Sequence, residues 1–261
     1  MPNRLPSTLL LLASALLAAC SSQPRPADDG YERLMHLAGD LQRRGDNASA
    51  AALFENATQQ PGQHPEAWLK LGEASLASGD ARTAERAYQQ ALALQADNLD
   101  ALLGLGTAQL HQGKLERATA VLAQAAATSD NPQAWNRLGI AQILRGQASA
   151  AQTAFDKSLG LAPDDLDTRC NLALAYALGG QAQRALDTVR QVARSPRALP
   201  RHQRNELLVT VLAGREQDVA NLVLDDIAAS ERPALLAEAQ RIKAIAEPQA
   251  QARALGLVDA R

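Results

Sequence analysis

Apolar and polar residues follow one another along this chain with the period of helices arranged in pairs. In the stretch 65–98, Trp68 and Leu71 lie on one face of a first predicted helix, and Ala84 and Tyr88 lie on one face of a second. The same order of apolar, small and polar positions returns twice more before residue 165. The pattern therefore predicts a chain built from repeated pairs of amphipathic helices.

Glycines mark the same two places in each of these copies, one within the first helix and one in the turn before the second. The first-helix glycines are Gly72, Gly106 and Gly139, and the turn glycines are Gly79, Gly113 and Gly146. Successive copies are therefore 34 and 33 residues apart. A fixed period of this length indicates stacked supersecondary units.

The glycine inside each first helix predicts a close contact between helices. Glycine in a helix interior costs about 1 kcal/mol relative to alanine, so its repeated use needs a reason. We expect the second helix to approach at that point through the small residues Ala84, Ala118 and Ala151. The bulky side chains of Trp68, Tyr88, Trp135 and Phe155 are expected to fill the space around this contact.

This order of residues resembles the tetratricopeptide repeat, whose consensus places Trp, Leu, Gly, Tyr, Ala, Phe, Ala and Pro at set positions. The copies carry Trp68, Leu71, Gly72, Ala84, Tyr88 and Ala91, and then Trp135, Leu138, Gly139, Ala151, Phe155 and Pro163. They depart from the consensus at Ala96 and Ser158. The resemblance implies an all-α solenoid of helix-turn-helix units with about five to six repeats.

Five such units and a divergent end account for the chain after residue 30. The predicted units are 31–64, 65–98, 99–131, 132–165 and 166–199, and 200–261 is predicted to hold a degenerate sixth repeat and capping helices. Within the sixth repeat, Leu207 and Val219 occupy the positions at which the other units have small residues. Close approach of two helices is therefore not expected there.

Composition agrees with this interpretation and excludes some functions. Only 3% of the 261 residues are aromatic, helix-forming residues dominate, and the formal net charge is -2. A charge so close to zero indicates neither a nucleic acid nor a strongly acidic ligand as a partner.

The first nineteen residues resemble a secretion signal. An apolar run from Leu9 to Leu16 follows Arg4 and is too short to span a membrane. Leu17-Ala18-Ala19-Cys20 resembles a bacterial lipobox, so we expect removal of 1–19 and lipidation of Cys20. An ordinary signal peptide cut near Ala19 is the alternative.

The residues after Cys20 predict where the protein lies. The segment 20–30 has two prolines and no apolar period, and we expect it to be a flexible tether. Ser21 follows the cysteine, and in bacterial lipoproteins the lack of aspartate at that position favours the outer membrane. We therefore expect a lipid anchor that holds the chain at the periplasmic face of the outer membrane.

No cluster of residues predicts catalysis, a metal site or a cofactor. The four histidines are scattered without ligand spacing, and Cys170 is interpreted as a small packing residue. Asp164, Asp165 and Asp167 are interpreted as helix-capping residues. We therefore expect no enzyme activity, although an enzyme that uses the repeats as a scaffold was considered.

A groove along the first helices is the predicted binding site for a protein partner, since stacked helical pairs form a superhelix with a concave face. Its expected lining is Leu69, Glu73, Leu76, Leu103, Thr107, Leu110, Asn136, Ile140, Ile143 and Leu174, joined by Cys170 and Ala177. An amphipathic helix is the matching ligand. As an alternative, these apolar residues pack on neighbouring first helices, or the terminal helix folds over them. Leu69, Leu103 and Ile140 stand where some tetratricopeptide co-chaperones have polar residues that bind a terminal carboxylate.

A second resemblance concerns the C-terminal part of the chain. The stretch Pro200–Arg215 looks like the Arg-x-Asn-Leu-Ala-Leu segment that precedes a late Gly-Arg in the TadD family of tight-adherence (Flp) pilus lipoproteins. Asp225-Asp226 also looks similar. The match is partial, because Glu206 replaces the leucine of the family and Leu207 replaces its alanine.

This second resemblance implies an outer-membrane lipoprotein that acts as an adaptor, or pilotin-like assembly factor, for the pilus secretion channel. The implied partners are a secretin or other pilus assembly components, with membrane contact through the lipid and no nucleic acid. Two further interpretations remain open at this point. One is a type IV pilus pilotin that assists secretin assembly, and the other is a cell-envelope lipoprotein that scaffolds peptidoglycan enzymes.

Overall fold

A computed structural model describes residues 28–257 of the chain, and throughout this part of the chain it contains helices and turns but no strand. The first ten helices form five consecutive pairs. They are α1 (Asp28–Arg43) and α2 (Asn47–Thr58), α3 (Pro65–Ala77) and α4 (Ala81–Leu94), α5 (Leu99–His111) and α6 (Leu115–Ala127), α7 (Pro132–Leu144) and α8 (Ala148–Leu161), and α9 (Leu166–Leu178) and α10 (Ala182–Ala193). The remaining elements are α11 (Pro200–Leu212), a 3₁₀ helix (Glu216–Asn221), α12 (Arg232–Lys243) and α13 (Pro248–Ala254).

Each helix from α1 to α11 packs against the next helix along the chain. The first helices of neighbouring pairs are also in contact, since α3 contacts α5 and α5 contacts α7. The result is a solenoid in which each unit contacts its neighbours. The predicted all-α solenoid of helix pairs is confirmed. A continuous apolar core runs through its middle units, from Leu102 to Val209.

The turn within each pair contains a left-handed glycine, and in the first two pairs a capping aspartate follows it. Gly79 has a φ of 88°, which a residue with a Cβ adopts only at a cost. The carboxylate of Asp80 then accepts the backbone N–H of Thr83 at 3.0 Å. Hydrogen bonds from the side chain and from the backbone of Thr83 lower the pKa of Asp80. The sequence Gly-Asp therefore ends α3 and starts α4.

The glycines inside the first helices lie against large side chains of the second helices. A Cβ added at Gly139 would be 2.5 Å from Cε1 of Phe155, and one at Gly106 would be 2.5 Å from Cγ of Leu122. The expectation that Tyr88 and Phe155 fill the space around the contacts with Ala84 and Ala151 is confirmed, and Leu122 does the same beside Ala118 in the unit between them. Those alanines are fully buried, and a ring or a leucine occupies the space that each glycine leaves free.

The predicted boundary between the tether and the first unit differs from the structure. Helix α1 begins at Asp28, so it includes the last three residues of the predicted tether 20–30. Aspartates at 28 and 29 are residue types that the dipole of a helix favours in its first turn. The rest of the tether, the predicted signal peptide 1–19 and the predicted lipidation site Cys20 lie outside the described residues.

The sixth repeat lacks a second α-helix. Its place in the chain is taken by the six-residue 3₁₀ helix at 216–221, which has no buried residue. Leu207, with 1% of its surface exposed, fills the site at which other units have glycine or alanine. Helix α12 packs against α11 instead, and Ala239 belongs to the same apolar cluster as Leu207.

Candidate protein-binding groove

The first helices α3, α5 and α7 enclose a cavity of about 470 Å³ on one face of the solenoid, here called the first cavity. A second cavity of about 350 Å³ lies beside it, between α7, α9 and α11. Arg137, Ile140, Gln133 and Leu257 line both. The two cavities together are the groove discussed below.

Eight of the ten predicted groove residues line one cavity or the other. Those at the first cavity are Glu73, Leu76, Leu103, Thr107, Leu110 and Ile140, and those at the second are Asn136, Ile140 and Leu174. Leu69 lines neither cavity and packs on the cluster that contains Tyr88. Whether any of these residues binds a partner stays a prediction.

Ile143, another predicted groove residue, lines neither cavity. Only 1% of its surface is exposed, and it belongs to the central core cluster. Because α13 packs against α7, the end of α7 is covered, and Ala252 of α13 is part of the same cluster. Ala177 and Cys170 are buried as well. Burial raises the pKa of the Cys170 thiol to about 11.

The segment 248–257 folds back onto the groove, which is one of the alternatives that the sequence left open. Pro248 lies over the turn after α7, with its Cβ 3.2 Å from the point where Gly146 would carry one. Leu257 is 7% exposed and lines both cavities, and Leu255 is half-buried beside it. The groove is therefore partly filled by the protein itself.

Arg137 is the one charged residue common to both cavities, and the sequence analysis did not identify it. Its guanidinium donates to the hydroxyl of Thr107 and, at 3.4 Å, to the carbonyl of Leu103. No carboxylate of the described residues pairs with it, and burial lowers its pKa. The sequence did contain a signal that Arg137 lies near the groove, because this residue directly follows Asn136, a predicted groove residue.

An amide-rich wall completes the second cavity. The amide of Asn171 donates to Oδ1 of Asn136 at 3.3 Å, and the amide of Asn136 donates to the hydroxyl of Thr168. Asn205 and Gln133 line the same cavity. Amide side chains offer donors and acceptors together, which suits the backbone of an extended or helical peptide.

A polar junction at the edge of the second cavity joins α9 to α11. Arg201 donates through Nε and Nη2 to the two carboxylate oxygens of Asp167, each at 2.8 Å. His202, 2% exposed, accepts the backbone N–H of Leu199 through Nδ1, so its Nε2 donates to Asp167 at 3.0 Å. These partners, with Arg201 first, lower the pKa of Asp167.

The described part of the chain contains neither a cluster of metal ligands nor a helix that could span a membrane. Among residues 28–257, no three or more His, Cys, Asp and Glu side chains are grouped so that they could hold a metal ion. None of the helices in the same range has the length and apolar character that crossing a membrane requires.

The comparisons with known families agree with the helix pairs. Residues 34–133 match the family described as the middle TPR-like domain of cilia and flagella-associated protein 70, and residues 132–165 match the tetratricopeptide repeat. The chain is a tetratricopeptide-repeat protein, and its fold is the solenoid of that repeat.

Curated relatives are similar over part of this chain. The chain is 32% identical over 164 residues to cellulose synthase operon protein C of Xanthomonas axonopodis pv. citri, and 28% identical over 128 residues to the CTR9 homolog of Arabidopsis thaliana. These matches cover 59% and 48% of this chain but only 11% and 12% of the relatives. The chain thus spans a small part of the length of either relative.

Solved structures match more of the chain. Pseudomonas aeruginosa PilF superimposes with a TM-score of 0.63 and 18% identity, over 82% of this chain and 98% of PilF. PilW, described as a type IV pilus biogenesis factor, gives 0.67 and 20%, over 78% of this chain and 98% of PilW. A tetratricopeptide-repeat protein from Parabacteroides merdae gives 0.69 and 15%, over 88% of this chain and 93% of that protein. At these identities the likeness shows the fold.

Proposed function

We propose that this chain is a lipid-anchored adaptor at the periplasmic face of the outer membrane, and that it assists assembly of a tight-adherence (Flp) pilus secretion system. Its role is to bind a protein rather than to catalyse a reaction. The observation that carries the proposal is the groove of α3, α5 and α7, where apolar and polar side chains line one accessible cavity. A TadD-like role is the specific form of this proposal.

The likeness to PilF and PilW favours a second candidate, a type IV pilus pilotin. Nearly the whole length of both proteins superimposes on this chain. Both candidates use the same parts, namely a lipid at Cys20 and a groove that binds a secretin or another pilus component. They differ in the pilus system that loses its secretin when the gene is deleted.

The groove is tested by charge placed in its apolar wall. Leu76 and Ile140 are half-buried and line the first cavity, so Leu76→Glu with Ile140→Glu is expected to reduce co-purification of the pilus secretin by at least tenfold. The matched control is Leu94→Glu with Leu161→Glu, which changes two exposed leucines on second helices. Equal secretin recovery from both variants would contradict the groove proposal.

The anchor is tested by Cys20→Ala. The variant is expected to fold, to leave the outer-membrane fraction and to abolish piliation, since stable membrane attachment needs the acyl chains. Cys170→Ala is the control, because that thiol is buried in the solenoid. A Cys20→Ala protein that still fractionates with the outer membrane would contradict lipidation.

A further inference from the structure

The end of the segment 248–257, at Leu255 and Leu257, occupies the groove in the manner of a bound peptide. Its helix α13 has seven residues, and a helix that short is not stable in water without a surface to pack on. α13 packs on α7, and the amide of Gln251 donates to the carbonyl of Ile242 at 3.2 Å. The segment shows what the groove accepts, which is a short helix followed by two leucines.

Leu255 and Leu257 give that segment its apolar character. Both pack into the central cluster that also contains Leu103 and Leu174, two of the predicted groove residues. They are two residues apart, with Gly256 between them at a φ of 65°. Glycine allows the chain to turn there, so both leucines enter the groove.

The guanidinium beside Leu257 is incompletely satisfied. Arg137 has five N–H donors, of which the described residues engage only Nη1, through Thr107 and Leu103. Glu73 and Asp100 line the first cavity and Asp167 lines the second, but no carboxylate of the described residues forms an ion pair with Arg137. A partly buried charge in this state is unfavourable, and a carboxylate is its strongest partner because it accepts two hydrogen bonds at once. Leu257 and Arg137 line the same two cavities, so the two features are adjacent.

We propose that the groove recognises a peptide that carries two leucine-like side chains and, within about two residues of the second, a carboxylate that pairs with Arg137. Two residues reach about 7 Å, so a carboxylate at this spacing stays close to the site that Leu257 fills, in the cavities that Arg137 also lines. Residues 248–257 are the intramolecular competitor of this peptide, and the partner displaces them. The inference rests on the proposed protein-binding role and adds the chemistry of the ligand.

The probe is a fluorescent, C-terminally amidated peptide of residues 248–261, in which Asp259 supplies the only carboxylate. The groove is opened in the full chain by Leu255→Ser with Leu257→Ser. Fluorescence polarisation is expected to show binding to this opened variant and at least tenfold weaker binding to the parent. The parent binds more weakly because its own segment competes at the high effective concentration of a short linker.

Arg137→Gln in the opened variant is expected to weaken binding of the peptide at least tenfold. Asp259→Asn in the peptide is expected to weaken binding to a similar extent. Combining this change with Arg137→Gln is expected to cause no further loss of affinity. Arg145→Gln is the matched control at the C-cap of α7, because its guanidinium faces Glu116 at 3.7 Å and lines neither cavity. Loss of affinity that is equal for Arg137→Gln and Arg145→Gln would overturn the pairing.

Other results would overturn the inference as a whole. Failure of a folded opened variant to bind the peptide would show that 248–257 is only a structural cap, and so would equal binding by parent and opened variant. A parent that dimerises without peptide and dissociates when peptide is added would make a second copy the occupant. Circular dichroism checks folding, and Leu257→Ala replaces the double variant if that one is unfolded.

The outcome is separable from that of the proposed function. If the peptide does not bind but Leu76→Glu with Ile140→Glu still loses the secretin, only the ligand chemistry is wrong. If the peptide binds but piliation is normal in the Cys20→Ala strain, only the proposed cellular role is wrong.

Discussion

The repeats at 65–161 and the C-terminal region at 200–243 are held together by different interactions. In the repeats, a glycine on one helix receives a large side chain from the next, as Gly139 receives Phe155. In the C-terminal region, the segment between α11 and α12 is fixed by polar groups. Gln203 exchanges two hydrogen bonds with Asp226, at 2.8 and 3.1 Å, and Arg232 donates to the carbonyl of Leu224 at 2.7 Å.

The difference shows which interactions are needed where the sixth repeat lacks its second helix. A second helix satisfies its own backbone and needs only a complementary surface, whereas an irregular segment needs side chains as hydrogen-bond partners. Gln203 and Arg232 provide these partners for residues 224–227. The first region is therefore expected to be sensitive to side-chain volume, and the second to the loss of single polar groups.

The largest effect is expected from Phe155→Ala. Phe155 is fully buried, and truncating such a ring costs about 3–5 kcal/mol of unfolding free energy. Urea denaturation followed by circular dichroism measures the loss. Leu199→Ala, at a leucine that is 43% exposed, is the control and is expected to stay within about 0.5 kcal/mol of the parent. Similar losses of unfolding free energy from the two variants would contradict the explanation that Phe155 stabilises the repeats by filling buried space.

Gly106→Leu is expected to have the next largest effect. Even a Cβ at this position would be 2.5 Å from Leu122, so overpacking is expected to cost about 3 kcal/mol, the upper part of the usual range. Gly160→Ala is a control of opposite sign. Nothing lies within 4 Å of the new Cβ there, so thermal and urea unfolding are expected to show a gain of about 0.5–1 kcal/mol.

Gln203→Ala is expected to cost about 1–2 kcal/mol, because it leaves the backbone N–H of Asp226 without its partner. Faster hydrogen exchange in 222–231 is expected to accompany this loss. Arg204→Ala removes a half-exposed ion pair with Glu231 and is expected to change stability by less than about 1 kcal/mol. Unchanged exchange in the Gln203 variant would contradict the assigned role of that residue.

The smallest effect is expected from Glu206→Gln, and it depends on pH. Glu206 is buried, and burial raises its pKa on folding, against the opposing charges of Arg190 and Arg194. The folded state then binds the proton more tightly, so this carboxyl lowers stability as pH rises through the raised pKa. The variant is expected to be more stable than the parent at pH 7, and no more stable at pH 3. A difference that does not vary with pH would contradict this explanation.

The repeat pattern predicted the solenoid because each unit contacts its neighbours, and those contacts are written within about 34 residues of sequence. The recurrence of positions such as Trp68 and Gly72 was sufficient to predict the solenoid. The filling of the space at the glycines by Tyr88 and Phe155 was predicted, but that by Leu122 was not, since consensus positions do not show which atoms fill a space. Tyr88, Leu122 and Phe155, rather than the alanines, do so.

The groove was only partly predictable for a related reason. Its lining follows from the repeat register, as Leu76, Thr107 and Ile140 show. Its occupation by Leu257 depends on contacts between α13 and α7, which are about a hundred residues apart in sequence. No local period reports such a contact. Arg137 was missed because the repeat consensus assigns no charge to its position.

Tyr88 has a consequence for how this sequence can change over time. Its ring lies against Gly72 of its own unit and against Gly104 of the following one, each sixteen residues away along the chain. A methyl group acquired at either glycine would meet the same ring. A chain with alanine at position 72 or 104 is therefore expected to carry a residue smaller than tyrosine at position 88. In related chains, substitutions at these three positions are expected to be correlated.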